Sequence, residues 1–259
     1  MFTFIGRSAL SSLNYFGELA YLVRDTFLAV FQGKIRWRLV FQQIVQIGYR
    51  SQLVAGATGA FTGAVFAAQL YFQMHKFGMD SSVGSVTAIA LLRELGPALG
   101  GIMVAGRCGA AIAAEIGTMK VTEQVDALRA LGVHPIDYLV VPRTLAMMIS
   151  MPLLIAEACA LGILAANFVA INVLNIPEAG YMRNLVNWVD WDDVAKALIK
   201  AFVFGCLISF IACREGLAAE NGAEGVGRAP TEAVVISSLT IIAANFVLTF
   251  ALNILFPTV

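Results

Sequence analysis

Charge is scarce in this sequence. Of 259 residues only 13% are Asp, Glu, Lys or Arg, about half the share in a soluble domain. Neither sign is in excess, with 17 basic residues against 17 acidic, so the chain lacks the basic surplus that nucleic-acid binding draws on. Histidine is reduced to His75 and His134, too few for His-based metal chemistry. Cys108, Cys159, Cys206 and Cys213 show no CxxC spacing and lie in or beside apolar segments. They read as small packed residues rather than as metal ligands. No GxxxxGK loop ending in Ser or Thr is present, and the Gly-rich run GAEGVGRAP lacks that Lys-hydroxyl pair, so ATP is not expected to bind this chain in that manner. HExxH and GxSxG are missing too, which leaves catalysis without positive support. The opening MFTFIGRSALSSLNYF interleaves polar and apolar residues from the outset, unlike a cleaved signal peptide, and nothing is expected to be removed.

What the sequence has is apolar residues, 59% of the total, and they come in long runs. An uncharged stretch from Ser51 to Met74 inside Leu39 to Phe72 and its margins is long enough to cross a bilayer. Similar runs cover Val83 to Ala105, Thr144 to Ile171, Ala195 to Cys213 and Ala233 to Phe256. The fold class expected is therefore all-α: a polytopic membrane protein with five spans, read as a single domain over 1–259. Residues 39–259 form its transmembrane region, and 1–38 hold an amphipathic helix. In that helix Leu13, Phe16, Ala20, Val23, Phe27 and Val30 share one face, opposite Ser11, Glu18, Asp25 and Gln32. It suits the membrane interface, or else packs on the protein's own body. Pro142 is placed to launch the third span and Pro152 to kink it. Trp188 and Trp191 are of the kind that settle at interfaces. Gly59 and Gly63 form a small-xxx-small pair, open to packing within the chain or to dimerisation.

Lys and Arg outside the spans crowd one side: Arg7, Arg24, Lys34, Arg36, Arg38 and Arg50 before the first, Arg107, Lys120, Arg129 and Arg143 between the second and third, Arg214 and Arg228 between the fourth and fifth. The other side has Lys76, Arg183, Lys196 and Lys200. The bias puts the N-terminus in the cytoplasm and, with five spans, the C-terminus outside.

Two features carry possible chemistry. Arg93 and Glu94 lie about midway along the second span, where each ionised group costs at least about 2.5 kcal/mol. Being adjacent they point about 100° apart, so each needs its own partner. They line a transport cavity or form buried structural pairs that join helices. Gly96-Pro97 follows at once, freeing backbone groups. The second feature is the connection from Arg107 to Arg143, in which AAEIGTMKVTEQVDALRALGVHP reads as helix, turn, helix. Thr122 and Gln124 open the second helix; Gly132 and Pro135 close it. Glu115, Glu123 and Asp126, interleaved with Lys120 and Arg129, make it a docking surface or a merely solvated one.

The segments LLRELGPALGGIMVAGRCGAAIAAEIGTMKVTEQVDALRALGVHP and VVPRTLAMMISMPLL, from Leu91 to Leu154, closely resemble the MlaE family of bacterial ABC-transporter permeases. The likeness extends from near Lys34 to the C-terminus, through Ser237-Ser238 and NFVLTF. It implies a homodimeric permease in the bacterial inner membrane. Its partners would be a cytoplasmic ABC ATPase, which binds ATP and Mg, and a periplasmic MCE-type lipid-binding protein. It also implies movement of phospholipids between inner and outer membranes, maintaining outer-membrane lipid asymmetry. Arg93 and Glu94 match the family's cavity pair, and by position Phe66, Leu70 and Phe77 line the apolar part. The coupling helix maps to about Ala114 through Ala130, with Glu115, Met119, Lys120, Glu123, Gln124 and Asp126 towards the ATPase. Arg offers a phosphate planar, multidentate donors. The rival readings are an ion or proton-coupled channel or transporter that uses Glu94, and a scaffold that moves nothing.

Overall fold

The computed structural model describes residues 2–33, 35–220 and 222–256, without the side chains of 2–9, 11 and 12. Lys34 and the Arg7 side chain, both counted in the charge bias, lie outside the described residues. The chain is 90% helical, and no strand occurs among the described residues. In chain order the helices are α1 (Phe2–Phe31), α2 (Trp37–Ile47), α3 (Gln52–Met74), α4 (Val83–Ala90), α5 (Gly96–Val104), α6 (Ala110–Val121), α7 (Gln124–Ala130), α8 (Val141–Phe168), α9 (Glu178–Trp188), α10 (Trp191–Leu217) and α11 (Ala223–Leu255).

Five continuous helical stretches are long and apolar enough to cross a membrane: Trp37–Phe77, Asp80–Val121, Ile136–Val173, Trp191–Leu217 and Ala223–Leu255. Each apolar run of the sequence falls inside one of them, but the helices reach further. The second runs 16 residues past Ala105, to Val121, and the third starts at Ile136, so Pro142 sits inside it rather than at its head. The reason is geometric. Hydrocarbon about 30 Å thick needs only about 20 helical residues at 1.5 Å each, and turns beyond that depth carry polar side chains that an apolar-run reading excludes. Four π-helical turns fall within two of these stretches, Leu91–Leu95 and Ala105–Gly109 in the second, Ile136–Val140 and Val169–Val173 at the two ends of the third. Such turns shift the helical face by inserting one residue and gather at functional positions.

By contact density the chain divides into two compact units, Met1–Gln43 with Ala105–Ala146 and Cys206–Ser237, and Ile44–Val104 with Met147–Gly205 and Ser238–Val259. Within the first unit, α1 packs through Leu22, Thr26 and Ala29, all buried. Arg214 ties it down by bonding Glu18 at 2.7 Å and lying 4.2 Å over the Tyr15 ring. The apolar stripe expected to pack or to meet lipid is left uncovered: Leu13, Phe16 and Phe27 are exposed.

Within the second unit, Ala67, Val83, Ala166, Ala170, Ile176 and Tyr181 form a buried cluster. The Tyr181 ring occupies the space where a side chain at residue 84 would stand, so Gly84 is required there. Burial pushes the Tyr181 phenol up to about 12. The small-residue pair resolves as packing within the chain. A Cβ at Gly59 would overlap the carbonyl of Ala158, and one at Gly63 the carbonyl of Gly162. Thus α3 and α8 meet backbone to backbone, as small-xxx-small faces do in lipid.

Because the obstacle is backbone, which cannot rotate away, Gly59→Val should cost at least about 3 kcal/mol, above the usual range for overpacking. Gly17, with nothing within 4 Å, is the control: Gly17→Ala should stabilise α1 by up to about 1 kcal/mol. Thermal unfolding of the detergent-purified variants checks both, and a wild-type midpoint for Gly59→Val would contradict the close crossing.

Candidate functional site

Arg93 and Glu94 occupy the π-helical turn just before Pro97, and each has its own partner, as their angular separation demands. Arg93 donates from Nε to Asp193 Oδ1 of α10 at 2.6 Å. Glu94 Oε1 lies 3.0 Å from the Lys200 ammonium, about two turns further along α10. Asn245 of α11 donates from Nδ2 to Glu94 Oε2 at 2.7 Å, and the Thr249 hydroxyl lies 2.9 Å from Oε1. Lys200 also donates to Thr249 Oγ1 at 2.9 Å and to the Arg93 carbonyl at 2.6 Å. That last bond follows from the sequence. Pro97 has no N–H to offer the carbonyl four residues before it, and the vacancy falls on Arg93, where the ammonium fills it. The second span, α10 and α11 are thus joined by ion pairs and hydrogen bonds in which every donor of Lys200 is used.

The cluster is asymmetric. Asp193 and Lys200 are closed off, with side-chain exposures of 0% and 2%, whereas Arg93 keeps 28% and Glu94 40%. Among the described residues the two terminal guanidinium nitrogens of Arg93 have no bonding partner. Charged side chains that keep this much exposure are not tolerated against lipid tails. An opening that holds water, a headgroup or a second protein chain is what this geometry accommodates.

Phe66, Leu70 and Phe77, expected along the apolar part of the cavity, belong to the first span. Leu70 packs beside the buried Tyr181 cluster. Phe66, one turn before it in α3, is half-buried, and Phe77 is 77% exposed at the far end of the first span.

At the end of the second span Glu115 is 2.9 Å from Arg143, whose side chain is buried and also donates to the Leu139 carbonyl. Glu115 therefore clamps α6 to the start of the third span. The region from Ala114 to Ala130 is two helices, broken at Thr122 and Glu123. Glu123 takes the left-handed conformation, φ 61°, uncommon for this residue type, and Gly132, φ 73°, ends the second helix. On α7 only Val125 is buried. Glu123, Gln124 and Asp126 are exposed, Met119 and Lys120 half-buried, and Leu131 stands 79% exposed. Asp126 bridges Lys120 at 3.3 Å and Arg129 at 2.8 Å.

Sequence reasoning misses several of these groups. Lys196 and Lys200 read as edge charges of a short fourth span, and Asp193 as loop. Their spacing of three and four residues was the available signal, since it puts all three on one helical face. The reading also passes over Glu157, a carboxylate near the middle of the third span, half-buried beside Gly56 and without a bonding partner among the described residues.

Removing either member of the Glu94 pair should not be equivalent. Glu94→Gln leaves a 2%-exposed ammonium without a counter-charge, for which about 3–5 kcal/mol is expected. Lys200→Met leaves a carboxylate already half open and should cost less. Thermal unfolding of the two variants side by side tests the order, and the reverse order would contradict the assigned burial.

Comparison with known proteins agrees with this architecture. The family model described as Permease MlaE matches residues 40–251, which takes in all the residues of the intramembrane cluster and both helices after the second span. A probable ABC transporter permease protein of Rickettsia typhi is 40% identical over 95% of each chain. The chloroplastic protein TRIGALACTOSYLDIACYLGLYCEROL 1 of Arabidopsis thaliana is 40% identical over 85% of this chain and 63% of its own. The intermembrane phospholipid transport system permease protein MlaE of Haemophilus influenzae is 31% identical over 95% of this chain and 94% of its own. With five spans, a charged cluster within them and a family match across most of its length, this chain belongs to the MlaE family of ABC-transporter permeases.

Proposed function

We propose that the chain is the membrane subunit of an ATP-binding-cassette complex that moves phospholipids between the inner and outer membranes of a bacterium, maintaining outer-membrane lipid asymmetry. The observation that carries this reading is the half-open pair at Arg93 and Glu94. A guanidinium with two unused nitrogens, fixed within a membrane by its Nε, is suited to a phosphate, and apolar span surfaces around it suit acyl chains. The named role of the Haemophilus influenzae relative, intermembrane phospholipid transport, supports the same substrate class.

In this reading the permease pairs with a second copy of itself and with a periplasmic MCE-type protein, while a cytoplasmic ATPase subunit binds and hydrolyses ATP with Mg. The chain lies in the inner membrane with its N-terminus cytoplasmic and its C-terminus periplasmic, and α1 rests its uncovered apolar stripe in the cytoplasmic interface. The exposed side of α7, from Glu123 to Leu131 and anchored by Val125, is the surface offered to the ATPase. The rival, a proton-coupled carrier using Glu94, has less support. Lys200, Asn245 and Thr249 already occupy both oxygens of that side chain with bonds that tie the second span to α10 and α11.

Two variants separate the two surfaces. Leu131→Asp should reduce co-purifying ATPase subunit about tenfold, the loss expected from one buried apolar anchor, and leave bound phospholipid unchanged. Arg93→Met combined with Asp193→Asn, which removes the cation without stranding its partner, should do the opposite. Mass spectrometry of proteins and lipids in detergent extracts reads both; phospholipid retained at wild-type level by the double variant would refute the cavity assignment.

A further inference from the structure

The intramembrane cluster does not balance its charge. Arg93 is matched by Asp193 and Lys200 by Glu94, yet Lys196, between them on the same face of α10, has no carboxylate. Its side chain is buried, and its only bond among the described residues is a long one, 3.3 Å, to the amide oxygen of Asn253 in α11. An ammonium has three donors, so two are unused. Lys196 and Lys200 are also like charges one helical turn apart, which is unfavourable in itself. Asp190 and Asp192, at the head of α10, are exposed, and neither bonds Lys196. With all groups ionised the five charged residues therefore carry one uncompensated positive charge, and it belongs to Lys196.

An uncompensated buried cation invites an anion. The side chain bonded to this one, Asn253, is itself exposed near the end of the fifth span. Trp191, 87% exposed, begins the same helix only five residues earlier, so Lys196 lies close to the depth at which interfacial Trp side chains and lipid phosphates meet. The unused guanidinium nitrogens of Arg93 belong to the same cluster through Asp193.

We propose that Lys196, beneath Asn253, receives the phosphate of the transported lipid, entering as the Asn253 amide turns aside. This inference rests on the phospholipid-permease reading and adds to it the residue that distinguishes a phosphorylated lipid from a neutral one. Arg93 and Lys200 cannot make that distinction alone, because each already has its counter-charge. Lys196 supplies the net charge, and Asn253 can return an amide N–H to the bound oxygen.

The test compares phosphatidate with diacylglycerol of the same acyl chains, each presented in detergent micelles to the purified complex and counted by mass spectrometry. Wild type should retain phosphatidate over diacylglycerol by at least about tenfold, the value of one charge-assisted hydrogen bond. Lys196→Gln should bring that ratio close to one, and Lys196→Arg should restore it. Asn253→Asp, at an exposed position that tolerates replacement, places a carboxylate beside the ammonium; it should raise the unfolding temperature and abolish the preference. A wild-type ratio in folded Lys196→Gln, or in Asn253→Asp, overturns the inference while leaving the permease reading intact. Displacement of phosphatidate by equimolar inorganic phosphate would assign the site to free phosphate and overturn the lipid assignment. If the wild-type complex retains neither lipid, the permease reading falls and takes this inference with it.

Discussion

Inside a hydrocarbon layer the Glu94 side chain needs hydrogen-bond donors to replace the water it gives up, and the arrangement of three helices follows from supplying them. Lys200 and Thr249 meet one carboxylate oxygen, Asn245 the other, so α10 and α11 are positioned relative to the second span by the needs of a single side chain. The same ammonium closes the backbone vacancy that Pro97 creates at Arg93. A proline that would weaken a helix in isolation here provides a docking point for another helix. This explains how the LRELGP segment can combine two charges with a helix breaker at membrane depth: each difficulty is the answer to the other.

Close packing elsewhere follows a different rule. Where α3 meets α8 there is no charge, and the contact depends on the absence of side chains at Gly59, Gly63 and Gly162. Lipid tails are as apolar as leucine, so burying leucine gives helices no reason to associate within a bilayer. Contact area gained by bringing backbones together does. The second unit thus uses polar bonds on one side of the second span and small residues between the first and third spans. Both mechanisms place the specificity in a few residues while most of the outward surface remains apolar, as the exposure of Leu53, Phe61, Leu239, Phe246 and Phe250 illustrates.

These two mechanisms also explain what was legible beforehand. The spans could be read because hydrocarbon thickness sets a minimum apolar length, and the separate partners of Arg93 and Glu94 could be required because neighbouring helical residues diverge. The break between α6 and α7 was legible from turn chemistry. The partners themselves were not. Asp193, Lys196 and Lys200 sit at the end of a span, where charges are usually hydrated, and only the three-dimensional approach of the second span makes them buried. Nor do positions such as Phe66, Leu70 and Phe77 declare their neighbours. An apolar residue in a membrane helix has the same composition around it whether it faces lipid, a cavity or another helix, so sequence pattern gives no preference among those environments.

The N-terminal helix illustrates this limit from the other direction. In water an amphipathic helix packs its apolar stripe inward and leaves its polar face outside. Here the orientation is reversed: Glu18 is drawn to Arg214 and Tyr15 lies under the guanidinium, while Leu13, Phe16, Phe27 and Phe31 remain uncovered. Exposing that many large apolar side chains to water would cost more than the surface ion pair returns, since such pairs are worth about 1 kcal/mol at most and each large side chain about 1.5–3 kcal/mol. The orientation is stable only if something other than water covers the stripe. For a helix whose polar side is fixed to the protein by an arginine at the end of a membrane span, an apolar neighbour on the outer side satisfies both faces at once.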